Sequence, residues 1–270
     1  MSNSCLPAEM LDHVVDHLHS ARDVLKNCCL VSKSWIPRTR KHLFANIALN
    51  MGSLQSWKKK FPDPSTSPAC YTKSLFIHHP RLIIAEAGSL IRSFSRVEHL
   101  VMHTHVLDFD QSATHLVPLH GFSPVVKSIN MTFLAFPLRQ IFNLILSFPL
   151  LKDLAVAACR QILANNGDDS REDEMPTTAQ ASILPMFTGT LNPYLKGGME
   201  LFSRRLLSLP GGIRFRKLIL TYRQEEDLSS MMALVEGCSH TLKSLNITWD
   251  LHGMSIQHMR PGKYLTFVSR

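Results

Sequence analysis

One short pattern, a polar or basic residue followed by alternating aliphatics, recurs along this 270-residue chain and constrains its fold more than any other feature. It appears as Asn46-Ile47-Ala48-Leu49, Ser74-Leu75-Phe76-Ile77, His99-Leu100-Val101-Met102 and Ser128-Ile129-Asn130-Met131. Asp153-Leu154-Ala155-Val156, Lys217-Leu218-Ile219-Leu220 and Ser244-Leu245-Asn246-Ile247 continue it, with Gly189-Thr190-Leu191-Asn192 a weaker copy. Successive first aliphatics are separated by 28, 25, 29, 25, 37, 27 and 27 residues. Each copy has the period of two expected of a strand with one buried face. The segments between copies have helical spacing instead: Leu138, Ile141, Phe142, Ile145 and Leu146 precede Leu154, and Met231, Met232, Leu234 and Val235 precede Leu245. Strand, helix and the next parallel strand form the predicted unit.

All intervals but the longest fall near the upper end of the leucine-rich-repeat range. The expected fold class for residues 45–270 is therefore α/β, as an irregular leucine-rich-repeat solenoid; the asparagine of regular repeats is mostly missing. An α/β domain with a parallel sheet shares the same rhythm. The near-constant period, and the lack of a glycine-rich phosphate loop after any strand, favour the solenoid. The long interval holds the polar and acidic run Asn165 to Glu174, expected as an exposed insertion near 165–176. After Asp250 no further strand–helix unit is expected, which leaves an open sheet edge. Alternation places Phe76, Val101, Asn130, Ala155, Ile219 and Asn246 on the concave face, with His78, His103, Thr132, Thr221 and Thr248 in the next row. That surface is small and uncharged, which suits a protein segment better than a phosphate ligand.

The first 44 residues read differently, as three short helices. Pro7 suits a first helical position, and Glu9 falls in the first turn, where the helix dipole favours a carboxylate. Met10, Leu11, Val14, Val15 and Leu18 then form one apolar stripe. Ser20 is the expected cap of a second helix through Val24, Leu25, Cys28, Cys29 and Val31. Ser34 is the expected cap of a third, with Trp35, Ile36, Leu43 and Phe44 as its apolar residues. Helices this short bury little surface alone. Either they cap the repeat array or they dock on a partner.

The ordered series Leu6-Pro7, Glu9, Val14-Val15, Leu18 and Val31-Ser32-Lys33-Ser34-Trp35 resembles the F-box, the module that joins substrate receptors to Skp–cullin ubiquitin ligases. Ser203-Arg204-Arg205-Leu206-Leu207-Ser208-Leu209-Pro210-Gly211-Gly212-Ile213, followed by Phe215-Arg216-Lys217-Leu218, resembles a segment of fungal F-box-like families with degenerate leucine-rich repeats. The resemblance implies an N-terminal three-helix F-box at 1–44 ahead of the repeat domain. It implies that Leu6, Pro7, Val14, Val15, Leu18, Leu25 and Trp35 divide between a Skp-binding surface and a small core. The expected partners are a Skp-type adaptor, cullin through it, and a protein substrate held on the concave face by residues such as Phe76, His78, Val101, His103, Asn130, Thr132, Ile219 and Asn246. No catalytic role and no cofactor are implied.

Charge and composition bound the alternatives. The net charge is +8, and no acidic residue lies between Asp23 and Asp63, a span that holds eight Lys and Arg residues. Such a segment faces an acidic protein or, in the competing reading, nucleic acid; a repeat scaffold outside any ligase is the third. Six cysteines without a C-x-x-C pair, and an N-terminus without a signal pattern, point to reduced thiols in the cytoplasm or nucleus. No apolar stretch is long enough for a membrane span. His13 and His17 share a helical face at a zinc-compatible spacing but lack an adjacent glutamate and a third ligand. No Walker loop or Gly-x-Ser-x-Gly elbow is present, so no metal site and no enzyme chemistry are expected.

Overall fold

A computed structural model of the chain describes residues 7–63, 67–83, 93–108, 125–135, 138–158, 185–195, 198–223, 225–249 and 265–268. Its backbone is one nine-stranded sheet with the strands in sequence order. They are β1 (Asn46–Asn50), β2 (Ser74–Ile83), β3 (His99–Asp108), β4 (Ser128–Ala135), β5 (Asp153–Ala158), β6 (Thr190–Leu195), β7 (Lys217–Tyr222), β8 (Ser244–Trp249) and β9 (Leu265–Val268). β1 to β8 are parallel and β9 pairs antiparallel with β8. Seven α-helices are present among the described residues: α1 (Ala8–His17), α2 (Arg22–Val31), α3 (Ile36–Leu43), α4 (Met51–Lys60), α5 (Leu138–Leu146), α6 (Met199–Leu207) and α7 (Glu225–Gly237).

This topology corrects the expected fold class. The molecule is an α/β fold on an eight-stranded parallel sheet, not a three-helix F-box followed by an irregular leucine-rich-repeat solenoid. The near-constant period misled because parallel strands joined by crossovers of similar length produce it in either class. Strand length is the better discriminator. β2 and β3 each run for 10 residues and β4 for 8, well beyond the short alternating motif. The open edge expected after Asp250 is also corrected, since β9 covers β8 through Ser244↔Val268 to Ile247↔Leu265. Leu265-Thr266-Phe267-Val268 alternates too briefly to be singled out by periodicity. The acidic run near 165–176 lies outside the described residues.

Strands β2, β3, β4, β5 and β7 begin in the same local way. A buried residue, Thr72, Val97, Val126, Leu151 or Phe215, anchors the chain immediately before the ladder. Tight turns set several of these anchors: the Val97 N–H donates to Phe94 O, Leu151 N–H to Phe148 O and Thr72 N–H to Ala69 O, at 3.3, 3.1 and 3.1 Å. Alternation then buries one face. Leu75, Leu100, Ile129 and Leu154 lie side by side in register and are all buried, as are Ile77, Met102, Met131 and Val156 in the next row. Against them pack Ile141, Leu144 and Ile145 of α5, Phe202 and Leu206 of α6, and Met231 and Leu234 of α7. Phe142 and Phe202 meet with ring centroids 5.5 Å apart, so the helices form a layer with contacts of its own.

Gly189 precedes β6 where the backbone runs close to Asp153, whose carboxylate accepts the Thr190 N–H at 2.6 Å. A Cβ at Gly189 would collide with that carboxylate. We expect Gly189→Ala to destabilise the protein by about 1–3 kcal/mol, the usual cost of overpacking. Phe148→Ala, which empties a fully buried site, should cost about 3–5 kcal/mol. Urea denaturation followed by circular dichroism measures both; full stability of either variant contradicts the packing described.

Candidate interaction surfaces

The N-terminal helices enclose a small core of their own. Val15, Leu25 and Leu43 are buried there, and Leu18, Cys29, Trp35 and Phe44 pack partly against them. Polar bonds tie the cluster together. Thr39 is buried, donates to the Trp35 carbonyl at 2.8 Å and meets Cys29 Sγ at 2.9 Å. Asp16 of α1 accepts from Arg38 Nε at 2.6 Å, pairs with the same guanidinium through its other oxygen, and meets His42 Nε2 at 2.7 Å. Hydrogen bonds from Arg38, and then His42, hold the Asp16 carboxyl well below the usual carboxylate range. α3 also contacts the short turn Pro68–Tyr71 ahead of β2, which seats the cluster against the start of the sheet.

The helix limits differ slightly from the sequence reading. Pro7 is the residue before α1 rather than its first, α2 starts at Arg22 without a side-chain cap from Ser20, and a single 3-10 turn at Lys33–Trp35 leads into α3. In that turn Ser32, not Ser34, supplies the capping oxygen, accepting the Ser34 N–H. Ser34 cannot cap a helix that has already begun as a 3-10 turn.

The Skp-binding candidates separate into surface and core. Val15 is 1% exposed and Leu25 0%, so of the residues expected to divide between surface and core these two belong to the core. Leu18 and Trp35 are half-buried against that core. Pro7 and Val14 are exposed, and Leu6 lies outside the described residues. Residues absent from the candidate set are more conspicuous: Met10, Val24, Leu30 and Val31 are 54%, 44%, 85% and 70% exposed. Met10 and Val14 sit one turn apart on α1, and Val24 and Val31 two turns apart on α2, with Leu30 beside them. Their apolar character was legible; which way each helix rolls was not.

On the open side of the sheet, Phe76, Val101, Asn130 and Ala155 lie in register across β2 to β5, followed by Asn192 of β6. His78, His103, Thr132 and Ala157 form the next row, followed by Tyr194. The His103 ring centroid lies 4.9 Å from that of Phe76 and 6.4 Å from that of His78, so three candidates make one ring cluster. Ile219 and Asn246 pair with each other on β7 and β8 but lie three or more strands away from this cluster. The β6–β7 ladder is reduced to Thr190↔Lys217 and Leu191↔Leu218. Pro193, which has no N–H to donate, sits where the ladder stops. Beyond that break the Arg223 guanidinium stacks 3.8 Å from the centre of the Tyr194 ring. Asn192 and Tyr194 escaped as site candidates because their copy of the motif is the weakest, and Arg223 because it lies past the end of β7.

Among the described residues no three His, Cys, Asp or Glu side chains are placed to hold a metal ion, and no helix is long and apolar enough to cross a membrane. Burial raises the pKa of the Cys238 thiol at the end of α7, which disfavours a nucleophilic thiolate. Comparison of the chain with protein-family models, curated proteins and solved structures found no match to any of them.

The Asp16 cluster has a testable pH signature. A carboxyl lowered in the folded state stabilises above its unfolded value, near ~3.9, and loses that contribution as pH falls through the folded value. Asp16→Asn should therefore lower thermal stability at neutral pH, with the gap to wild type closing as pH drops below about 4. Melting curves across pH check this; a gap that widens in acid contradicts the pairing.

Proposed function

We propose that this chain is a non-catalytic substrate-recognition adaptor of a Skp–cullin ubiquitin ligase. Its N-terminal helices dock on the Skp-type subunit, and the open face of the sheet holds a protein substrate. One observation carries the reading: α1 and α2 expose five large apolar side chains over a small core whose buried hydrophobic cluster is Val15, Leu25 and Leu43. An apolar surface that large relative to the core beneath it is typical of a partner-binding element. The Leu-Pro to Lys-x-Trp series along the same segment supports the choice of partner, because it is the pattern whose resemblance implies Skp binding.

The adaptor acts by proximity. A substrate bound to the sheet is kept near the ligase's charged E2 enzyme, which converts ubiquitin transfer into an effectively intramolecular event. A side face with an aromatic–histidine cluster at Phe76, His78 and His103, and with neutral residues at Asn130 and Thr132, offers both stacking and hydrogen bonds to a peptide.

The test is a pulldown of the purified chain with a Skp-type subunit. Val14→Glu/Val31→Glu changes only exposed positions, so the fold should survive, which circular dichroism verifies. Binding should fall at least about tenfold, as for loss of interface hot spots. A wild-type chain that does not bind, or a folded double variant that binds equally well, overturns the proposal. Trp35→Ala is the poorer probe, since Trp35 packs on the small core and its loss would loosen the helices themselves.

A further inference from the structure

The residues immediately before the strands stack into a row. The Glu98 N–H donates to Lys73 O, Lys127 to Glu98, Lys152 to Lys127, Gly189 to Lys152, Arg216 to Gly189 and Lys243 to Arg216, at 2.7–3.1 Å. Each of these residues therefore occupies the same position at the leading edge of its strand. Lys73, Lys127, Lys152, Arg216 and Lys243 are basic, Gly189 is neutral, and Glu98 is the only acid in the row. Glu98 is already engaged by Lys127 at 2.8 Å. Among the described residues, Lys152, Arg216 and Lys243 have no carboxylate partner. All three are exposed.

At the β2 end this row runs into a groove of about 550 Å³ between the helical cluster and the sheet. Lys41, Lys73, Arg96 and Lys127 line it, against the carboxylates of Asp12 and Glu98, with Val125 and the exposed Leu150 as apolar contacts. The row from Lys73 to Lys243 spans six inter-strand steps of ~4.8 Å, or ~29 Å, the reach of about nine extended residues.

We propose that this leading rim, from the groove to Lys243, is the docking track for an extended acidic protein segment. Charge complementarity sets the sign of the partner. The groove sets its class. Single-stranded nucleic acid is held by basic residues interleaved with exposed aromatic platforms, and among the described residues the only aromatic ring lining the groove, Tyr71, is half-buried. Apolar Val125 and Leu150 beside the cations suit a peptide with aliphatic side chains among its carboxylates. The rim exists whether or not the N-terminal helices bind a Skp-type subunit.

The experiment is fluorescence anisotropy of the full chain with a labelled peptide of about nine Glu and Asp residues bearing one central Leu, a length set by the rim. Its Gln and Asn counterpart and a single-stranded oligonucleotide of similar length serve as comparisons. Binding of the acidic peptide, weakening with salt, is expected. Lys152→Glu/Lys243→Glu should reduce it at least about tenfold, while Lys26→Glu/Lys59→Glu, which reverses exposed charges that belong neither to the row nor to the groove lining, should leave it near wild type. Circular dichroism establishes that both variants are folded. Tighter binding of the oligonucleotide, equal binding of the neutral peptide, no binding of the acidic peptide, or equal loss in both variants overturns the proposal.

Discussion

The register of the parallel ladder is the constraint on which everything else in this molecule depends. Leu75, Leu100, Ile129 and Leu154 occupy equivalent positions on four adjacent strands, and each is buried. A slip of one residue in any strand would turn its whole apolar set to solvent. Fully burying each such side chain is worth about 1.5–3 kcal/mol, so a slipped strand that exposed two or three of them would lose most of a typical domain's net stability. The register is protected at the start of the strands by the buried anchors and tight turns, and it relaxes where Pro193 interrupts the β6–β7 ladder.

With the register fixed, the positions of the remaining surfaces follow. Burying odd positions of β2 forces Phe76 and His78 onto the opposite face, and the same alternation in β3 brings His103 between them. In the residues ahead of the ladders the backbone remains in the hydrogen-bonded row while the long cations of Lys73, Lys152, Arg216 and Lys243 reach water. Lysine and arginine are suited to that place for structural reasons alone. What structure alone does not require is a single sign of charge along nearly the whole row.

The strands were legible because a two-residue period in a half-buried sheet leaves a direct trace. Leu75, Leu100, Ile129, Leu154, Leu191, Leu218 and Leu245 were located from spacing, and each lies in the ladder. The choice between fold classes was not legible, since Leu154 followed by Leu191 and Leu218 reads the same in both. Among the candidate site residues, Val14 and Val15 show the limit most clearly. They are adjacent and chemically identical, yet one is half exposed and the other enclosed, because roll about the α1 axis depends on α3 and on the Asp16–Arg38 pair. The basic rim was visible in principle as a Lys or Arg at the same offset from five of the eight copies of the motif. A count of charges by region, which drew attention to residues 26–60, averages that offset away.

Placing these features in one geometry separates their roles. The helical cluster sits at the starting edge of β2, the rim continues from it along the leading edge, and the ring cluster lies on the open face one or more residues into the strands. A partner seated on the exposed aliphatics of α1 and α2 need not cover Phe76 or His103, since no residue of the ring cluster lines the groove between the helices and the sheet. An acidic segment lying along the rim would likewise leave the open face free. Three surfaces with different chemistry, one aliphatic, one basic and one neutral with aromatic rings, are what a protein needs if it is to hold several partners at once without their competing for the same side chains. That separation rests on the sheet's register rather than on any one contact, because the same alternation that buries one face fixes which residues reach the open face and which lead each strand.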